Sequence, residues 1–461
     1  MPSCTWKPQT GFRFLAVGLT LIATAATIAY AGHNNGFNRN NAVGGVLIDA
    51  SGVVAQPPSN KKAELLTRLR ERTQAPPEDL NAPVALRRIS LRGLEAALAE
   101  GIKRDYKIPN EVQYLAGLQR IQYVFVYPEL NDIVLAGPAE GWVINEEGPA
   151  PSVVGVTTGR PVLQVDDLLA AFRSVHAARQ QGISVSIDPT EEGYRNLNAV
   201  LQKWSNNRGR INTKVLEAEM KKAFGPQKIS INGISGKTHL ARVLVTADYR
   251  MKRFAMNLEK SPVPGMTSFM QMISKTPQDL SSNPRWWLAC NYEPLACSAD
   301  KLAWELRGPG VKVLTEDDLV DAQGQVQGSG RKNAAAQKWA DNMTAHYEEL
   351  AAKDEVFGQL RNVMDMCVVA ALIEKEGLLQ EAGCSIPLIT SDDGYQTYEF
   401  FEPKTVDPQV SFLRSRGGLH VSASGGVDID SWGVVSRVET VPEVGNLRAK
   451  PTGENATWWW N

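Results

Sequence analysis

Leu240, Val243, Leu244, Ala247, Met251, Phe254 and Leu258 recur at spacings of three and four. At about 100° per residue they gather into one apolar arc, which predicts an amphipathic helix with that arc facing the core. His239, Arg242, Thr246, Arg250 and Arg253 fall beside it in a second arc of about 80°, a basic stripe along the same helix. The same periodicity predicts helices in "VDDLLAAFRSVHAARQ", in "TEEGYRNLNAVLQKWSN" opened by Thr190, and in "TKVLEAEMKKAFG" closed by Gly225. Ser90 is the N-cap expected for "SLRGLEAALAEGIKRD". Two long helices are predicted over about 334–353 and 355–380.

Short β-branched or alternating runs predict strands between these helices. "GISVSIDP" and "QKISING" flank helical segments, while "IQYVFVYPE" and "DIVLAGPAEGWVI" face each other across a Pro-containing turn. "GGVLIDASGVVAQPP" reads as a hairpin around Asp49 to Gly52, followed by a basic helix up to Arg72. "WWLACNY", "LACS" and "WELRGPGVKVL" predict further short strands. Beyond Tyr395 the pattern has period two, and "LHVSASGGVDIDSWGVVSRVETV" is expected to form antiparallel β structure. The expected fold is therefore α+β: mixed helices and short strands with a mainly antiparallel β C-terminal segment. The expected division is 1–31 leader, 32–82 flexible segment with hairpin and basic helix, 83–385 main α+β domain, and 386–461 β-rich segment with a Trp-rich tail.

The first residues change the picture of where the protein resides. Lys7 and Arg13 precede the apolar run "FLAVGLTLIATAATIAY", and Ala29-Tyr30-Ala31 follows as an A-x-A site. That order predicts a secretory signal peptide cleaved after Ala31, and hence a secreted or periplasmic protein. "VMDMCVVAALI" is too short to cross a bilayer and contains Asp365, so a buried helix is expected and no transmembrane segment after cleavage. The formal net charge of −1 over 461 residues points to neither nucleic acid nor an anionic membrane. In an exported chain an even cysteine count permits disulfides. "CNYEPLAC" places Cys290 and Cys297 where two antiparallel strands would bring them together, with buried free thiols as the alternative.

"LRRISLRGLEAAL", "YLAGLQRIQYVFVYPELNDIVLAGPAEGW", "THLARVLVTADYRMKRFAMNLE", "LAWELRGPGVKVLTED" and "AAAQKWADNMTAHYEELAAKDEVFGQLRNVMDMCVVAALI" resemble blocks of a family of exported, uncharacterised proteins found in planctomycete bacteria. The similar blocks span roughly residues 45 to 380. The resemblance implies an exported planctomycete protein with a single family domain, and it implies no activity and no functional residue.

Candidate chemistry is sparse. Gly233, Gly236, Lys237 and Thr238 have the look of a phosphate loop, but Ile231 stands where the first Gly of G-x-x-x-x-G-K-[ST] is required, which leaves a strand-to-helix turn. The basic stripe of His239, Arg242, Arg250 and Arg253, close to a helix start, is the candidate ligand-binding site for a carboxylate or sulfate; the better expectation is that these cations are solvated or pair with acids of neighbouring elements such as Glu217, Glu219 or Asp248. "DIDSWGVVSRVE" sets Asp428, Asp430 and Glu439 at positions one, three and twelve of an EF-hand-like loop, a candidate metal set. Trp432 at position five disfavours it, and a hairpin is the better expectation. No cofactor is predicted. The three tryptophans of "TWWWN" are expected to dock, at least in part, on the body.

A non-catalytic binding or structural component of the cell envelope or extracellular space is therefore expected. An anionic glycan or an envelope protein is the expected partner, and nucleic acid is not. A secreted hydrolase with a loop-borne acidic site is the alternative.

Overall fold

Two mixed β-sheets organise the chain. The computed structural model describes residues 46–460 apart from 57–58, 149–150, 206–211, 275–282, 321–325, 329, 331–332, 416–417, 422–423 and 449–457. The expected signal peptide and the Asn-rich stretch after it lie outside the described residues. The larger sheet has nine strands in the order Leu47–Ile48, Val53–Ala55, Thr405–Val406, Gln227–Asn232, Ile183–Asp188, Ser424–Ile429, Asn283–Asn291, Gly310–Val320 and Val326–Gly328. The smaller has seven, in the order Val438–Thr440, Leu295–Cys297, Ala303–Glu305, Tyr123–Tyr127, Asp132–Ala139, Val84–Ser90 and Trp459–Trp460. With its many helices this is an α+β fold.

Helix Glu355–Lys375 lies at the centre. Asp354 caps it by accepting from the Val356 N–H, and every residue from Glu355 to Ile373 is buried. It packs against helices Val165–Gln181, His239–Ala255, Tyr347–Lys353 and Ser431–Val435. By length and composition it is apolar enough to span a membrane, yet its apolar stretch is buried in protein and only Glu374 and Lys375 at its end are exposed. A long, mainly apolar helix buried on all sides is a core helix. The predicted helix over 334–353 is in fact two, Ala334–Ala345 and Tyr347–Lys353, because His346 leaves helical geometry at φ −98° and ψ 9°.

The C-terminal residues do not form a segment of their own. Ser424–Ile429 inserts into the middle of the larger sheet, antiparallel to Ile183–Asp188 and parallel to Asn283–Asn291. Val438–Thr440 runs parallel to Leu295–Cys297 in the smaller sheet. Strands from both sides of 385/386 therefore take part in both sheets. Trp458 is buried, and Trp459–Trp460 pairs with Val84–Ser90.

The expected Cys290–Cys297 bridge is absent, and all four described cysteines are free. Cys290 pairs with Val311 in the larger sheet, whereas Cys297 pairs with Trp304 in the smaller. The turn at Pro294 therefore carries the chain from one sheet to the other rather than closing a hairpin. Burial pushes the Cys290 thiol well up and the Cys367 and Cys384 thiols to about 12 and about 11. All three stay protonated and inert near neutral pH.

Candidate ligand-binding face

Helix His239–Ala255 forms as expected, capped by Thr238 Oγ1, which accepts from the Ala241 N–H at 3.1 Å. Its apolar arc is buried, but so is the stripe beside it. Arg242 is 1% exposed and Arg250 3%. Arg250 pairs with Asp354 at 2.8 Å and Glu259 at 2.5 Å, and Arg253 pairs with Glu259 and donates to Gln409 Oε1. The guanidinium of Arg242 lies 4.7 Å from the centre of the Phe400 ring. These cations pack inside the molecule instead of forming an open anion-binding stripe. Pairing with acids thus holds for Arg250 and Arg253, but the acids are Glu259, just past the helix end, and Asp354, rather than Glu217, Glu219 or Asp248. Asp248 holds Lys252 at 3.0 Å. Leu258, placed in the apolar arc, lies beyond the helix end and is 36% exposed.

The candidate metal acids separate in the same way. Asp430 caps the short helix Ser431–Val435 through the Gly433 N–H, where a hairpin was expected. Asp428 stays on the preceding strand, and Glu439, on a strand of the smaller sheet, pairs with Arg307. Among the described residues no three His, Cys, Asp or Glu side chains are grouped to hold a metal ion.

His239 has a different environment. Its Nδ1 lies 2.9 Å from each oxygen of Asp167. Burial opposes protonation of the imidazole, but Asp167 and then Asp166 outweigh it and raise the pKa. Asp166 is itself pushed up to about 6, first by burial and then by the neighbouring Asp167. The two acids sit in the first turn of helix Val165–Gln181, where unpaired backbone N–H groups favour negative charge.

Asp166 also acts electrostatically on Tyr395 and Tyr114, which links this corner to a surface rich in tyrosine. Helix Leu91–Lys103 starts at Ser90, whose hydroxyl accepts from the Gly93 N–H. After its end Asp105 and Tyr106 both take left-handed geometry at φ 58°, a conformation that costs about 1–2 kcal/mol per non-glycine residue. This turn sends Tyr106 outward at 40% exposure, between the exposed Lys103, Arg104 and Lys107. Gly101 permits it, because a Cβ there would meet Ile108 Cγ2 at 2.5 Å.

A strap from the far end of the chain completes the surface. The Tyr395 hydroxyl donates to the Tyr106 carbonyl at 2.9 Å, and the two rings lie 5.4 Å apart. Arg173 Nη2 donates to the Tyr395 carbonyl at 2.6 Å, and the Phe400 N–H donates to the Lys237 carbonyl at 2.9 Å. Between these two anchors Tyr398 stands 49% exposed, with the Arg72 guanidinium 5.9 Å from its ring centre. Two exposed phenol rings and the cations Arg72, Lys103, Arg104 and Lys107 thus share a neighbourhood, in which Glu100 pairs with Lys103 at 2.6 Å and Glu71, Asp105 and Glu399 are further exposed acids. The interleaved "KRDYK" is the sequence signal for it, at the end of a predicted helix whose period does not mark the exposed ring. Its pairing with Tyr395 and Tyr398, about 290 residues away, has no local signal.

Residues 185–269 match a domain family described as Protein of unknown function (DUF1598). The match takes in most of strand Ile183–Asp188, the strand Gln227–Asn232 and the whole of helix His239–Ala255. It includes His239 but neither the Lys103–Lys107 turn nor the strap. No curated protein and no solved structure matches the chain.

Proposed function

We propose that the protein is an exported, non-catalytic binding component that holds an anionic glycan on the face around Tyr106 and Tyr398. The observation that carries this reading is the pair of exposed tyrosines set among Arg72, Lys103, Arg104 and Lys107. Sugar rings present apolar C–H faces that stack on phenol rings, and their carboxylate or sulfate groups accept charge-assisted hydrogen bonds from Lys and Arg. Export is supported by the basic, apolar and A-x-A pattern of residues 1–31 and by the resemblance to exported planctomycete proteins.

Retention on an immobilised anionic polysaccharide, against its neutral counterpart, tests the proposal. The full chain is retained by the anionic matrix, with retention falling as salt rises. The double variant Tyr106→Ala/Tyr398→Ala weakens binding about tenfold, the size expected for losing two stacking contacts. Equal retention of both proteins would remove the basis of the reading, and capture of an envelope protein after the glycan has been digested would replace it.

A second reading, the secreted hydrolase, draws on Asp166. A carboxyl held at about 6 beside a carboxylate-bound imidazole is poised for proton transfer. Release of reducing ends from the bound polysaccharide, lost in Asp166→Asn, would favour it over simple binding.

A further inference from the structure

Arg361 projects from the central helix with 1% exposure, yet it has one hydrogen bond among the described residues, from Nη1 to Glu348 Oε2 at 2.6 Å. Its Nε is buried and meets no acceptor among the described residues. A guanidinium carries five N–H donors, and orphan donors in an interior point to an ion or water that belongs there. The other oxygen of Glu348 accepts from Arg160 Nη2 at 2.5 Å. Arg120 stands behind, gripped by Asp365 through Nε at 2.9 Å and Nη2 at 3.0 Å. Burial first, then the charge of Arg120, pushes the Arg361 guanidinium down from its ordinary value. Three guanidinium groups therefore share two carboxylates.

The backbone is shaped to bring these groups together. A Cβ at Gly358 would meet Pro161 Cδ at 2.7 Å, and Asn362 Nδ2 donates to the Pro161 carbonyl at 3.0 Å, so the loop bearing Arg160 lies tight against the central helix. Gly310, at φ 89°, lets its strand approach Arg361, whose Cγ would lie 2.9 Å from a Cβ there. Glu348 is the loosely held member. Its side chain is 52% exposed, and Arg160 and Arg361 are its partners.

We infer that Arg160 and Arg361, backed by Arg120, form a binding site for a small tetrahedral oxyanion, phosphate or sulfate, which Glu348 occupies when the anion is absent. The oxyanion takes over both hydrogen bonds of the carboxylate and offers further oxygens to the unused donors of Arg361. Glu348 then swings into solvent. The site uses none of the residues of the tyrosine face.

Titration calorimetry of the full chain with inorganic phosphate, and separately with sulfate, at ionic strength fixed with chloride, tests this. Glu348→Ala removes the internal competitor and tightens binding tenfold or more. Arg160→Lys keeps the charge but loses the planar fork, and weakens it severalfold while circular dichroism stays unchanged. Binding of both anions, or of phosphate alone, supports the site. Absence of heat from wild type and Glu348→Ala alike overturns it, as does an Arg160→Lys variant that binds as tightly as wild type.

Discussion

Arg250 lies inside the protein because Asp354 and Glu259 meet it there, each within 2.8 Å. Removing one partner of a buried pair leaves the other charge unsolvated, which costs about 3–5 kcal/mol. Arg250→Ala is therefore expected to destabilise the fold by that amount in urea unfolding, and a loss below about 1 kcal/mol would show that the pair carries little. Asp166 gives a pH-dependent prediction. Its pKa is raised in the fold, so the folded state binds the extra proton and stability falls as pH rises from about 4 through about 6. The raised imidazole of His239 has the same sign, its contribution being present below its ordinary value and lost as pH rises through the folded one. Asp166→Asn mimics the protonated form. It should stabilise by on the order of 1 kcal/mol at pH 8, after allowance for the surface Asp166 keeps, and have little effect at pH 4. Equal melting shifts at both pH values would contradict the assignment. At this scale the sequence showed that charge lay beside the apolar arc but not what would meet it, since Asp167, Asp354 and Phe400 approach from 72 to about 160 residues away.

Elements were more legible than their contacts, because hydrophobic period and capping are local. Ser90, Thr190 and Gly225 start or end their helices where the residue type demands it. The hairpin at residues 47–55 also forms, with Leu47 opposite Ala55. "DIDSWGVV" misled because its alternation suits a strand, while Asp430 supplies a helix cap that period alone does not weigh. Docking of the final strand depends on one small residue. A Cβ at Gly93 would sit 2.6 Å from Trp458 Cβ, so Gly93→Val should expel the Trp459–Trp460 strand. The Ser90 N–H, which donates to the Trp458 carbonyl at 2.7 Å, should then exchange with solvent at least tenfold faster while the central helix keeps its protection. Unchanged exchange at Ser90 would mean that the strand docks by other contacts. Inside the central helix Leu360→Ala empties a fully buried site and should cost about 2–5 kcal/mol by thermal or urea unfolding. A cost near zero would place Leu360 outside the core.

The whole molecule was least legible, because strand order rests on pairings between residues far apart in the chain. Class follows from the kinds of element present, and α+β was readable on that ground. The position of Ser424–Ile429 between Ile183–Asp188 and Asn283–Asn291 has no trace in its own residues except Gly425 and Gly426, where a Cβ would strike the Trp286 and Val185 carbonyl oxygens at 2.3 and 2.4 Å. Truncation before Ser424 should therefore abolish cooperative unfolding, even though most of the chain remains. A sharp calorimetric transition in the truncated protein would show that the sheet closes without this strand. During synthesis the consequence is one of timing. The strands on either side of the gap are made more than 130 residues before their shared neighbour, and open strand edges pair with whatever is offered. The nascent chain thus carries two adhesive edges until its late segment arrives.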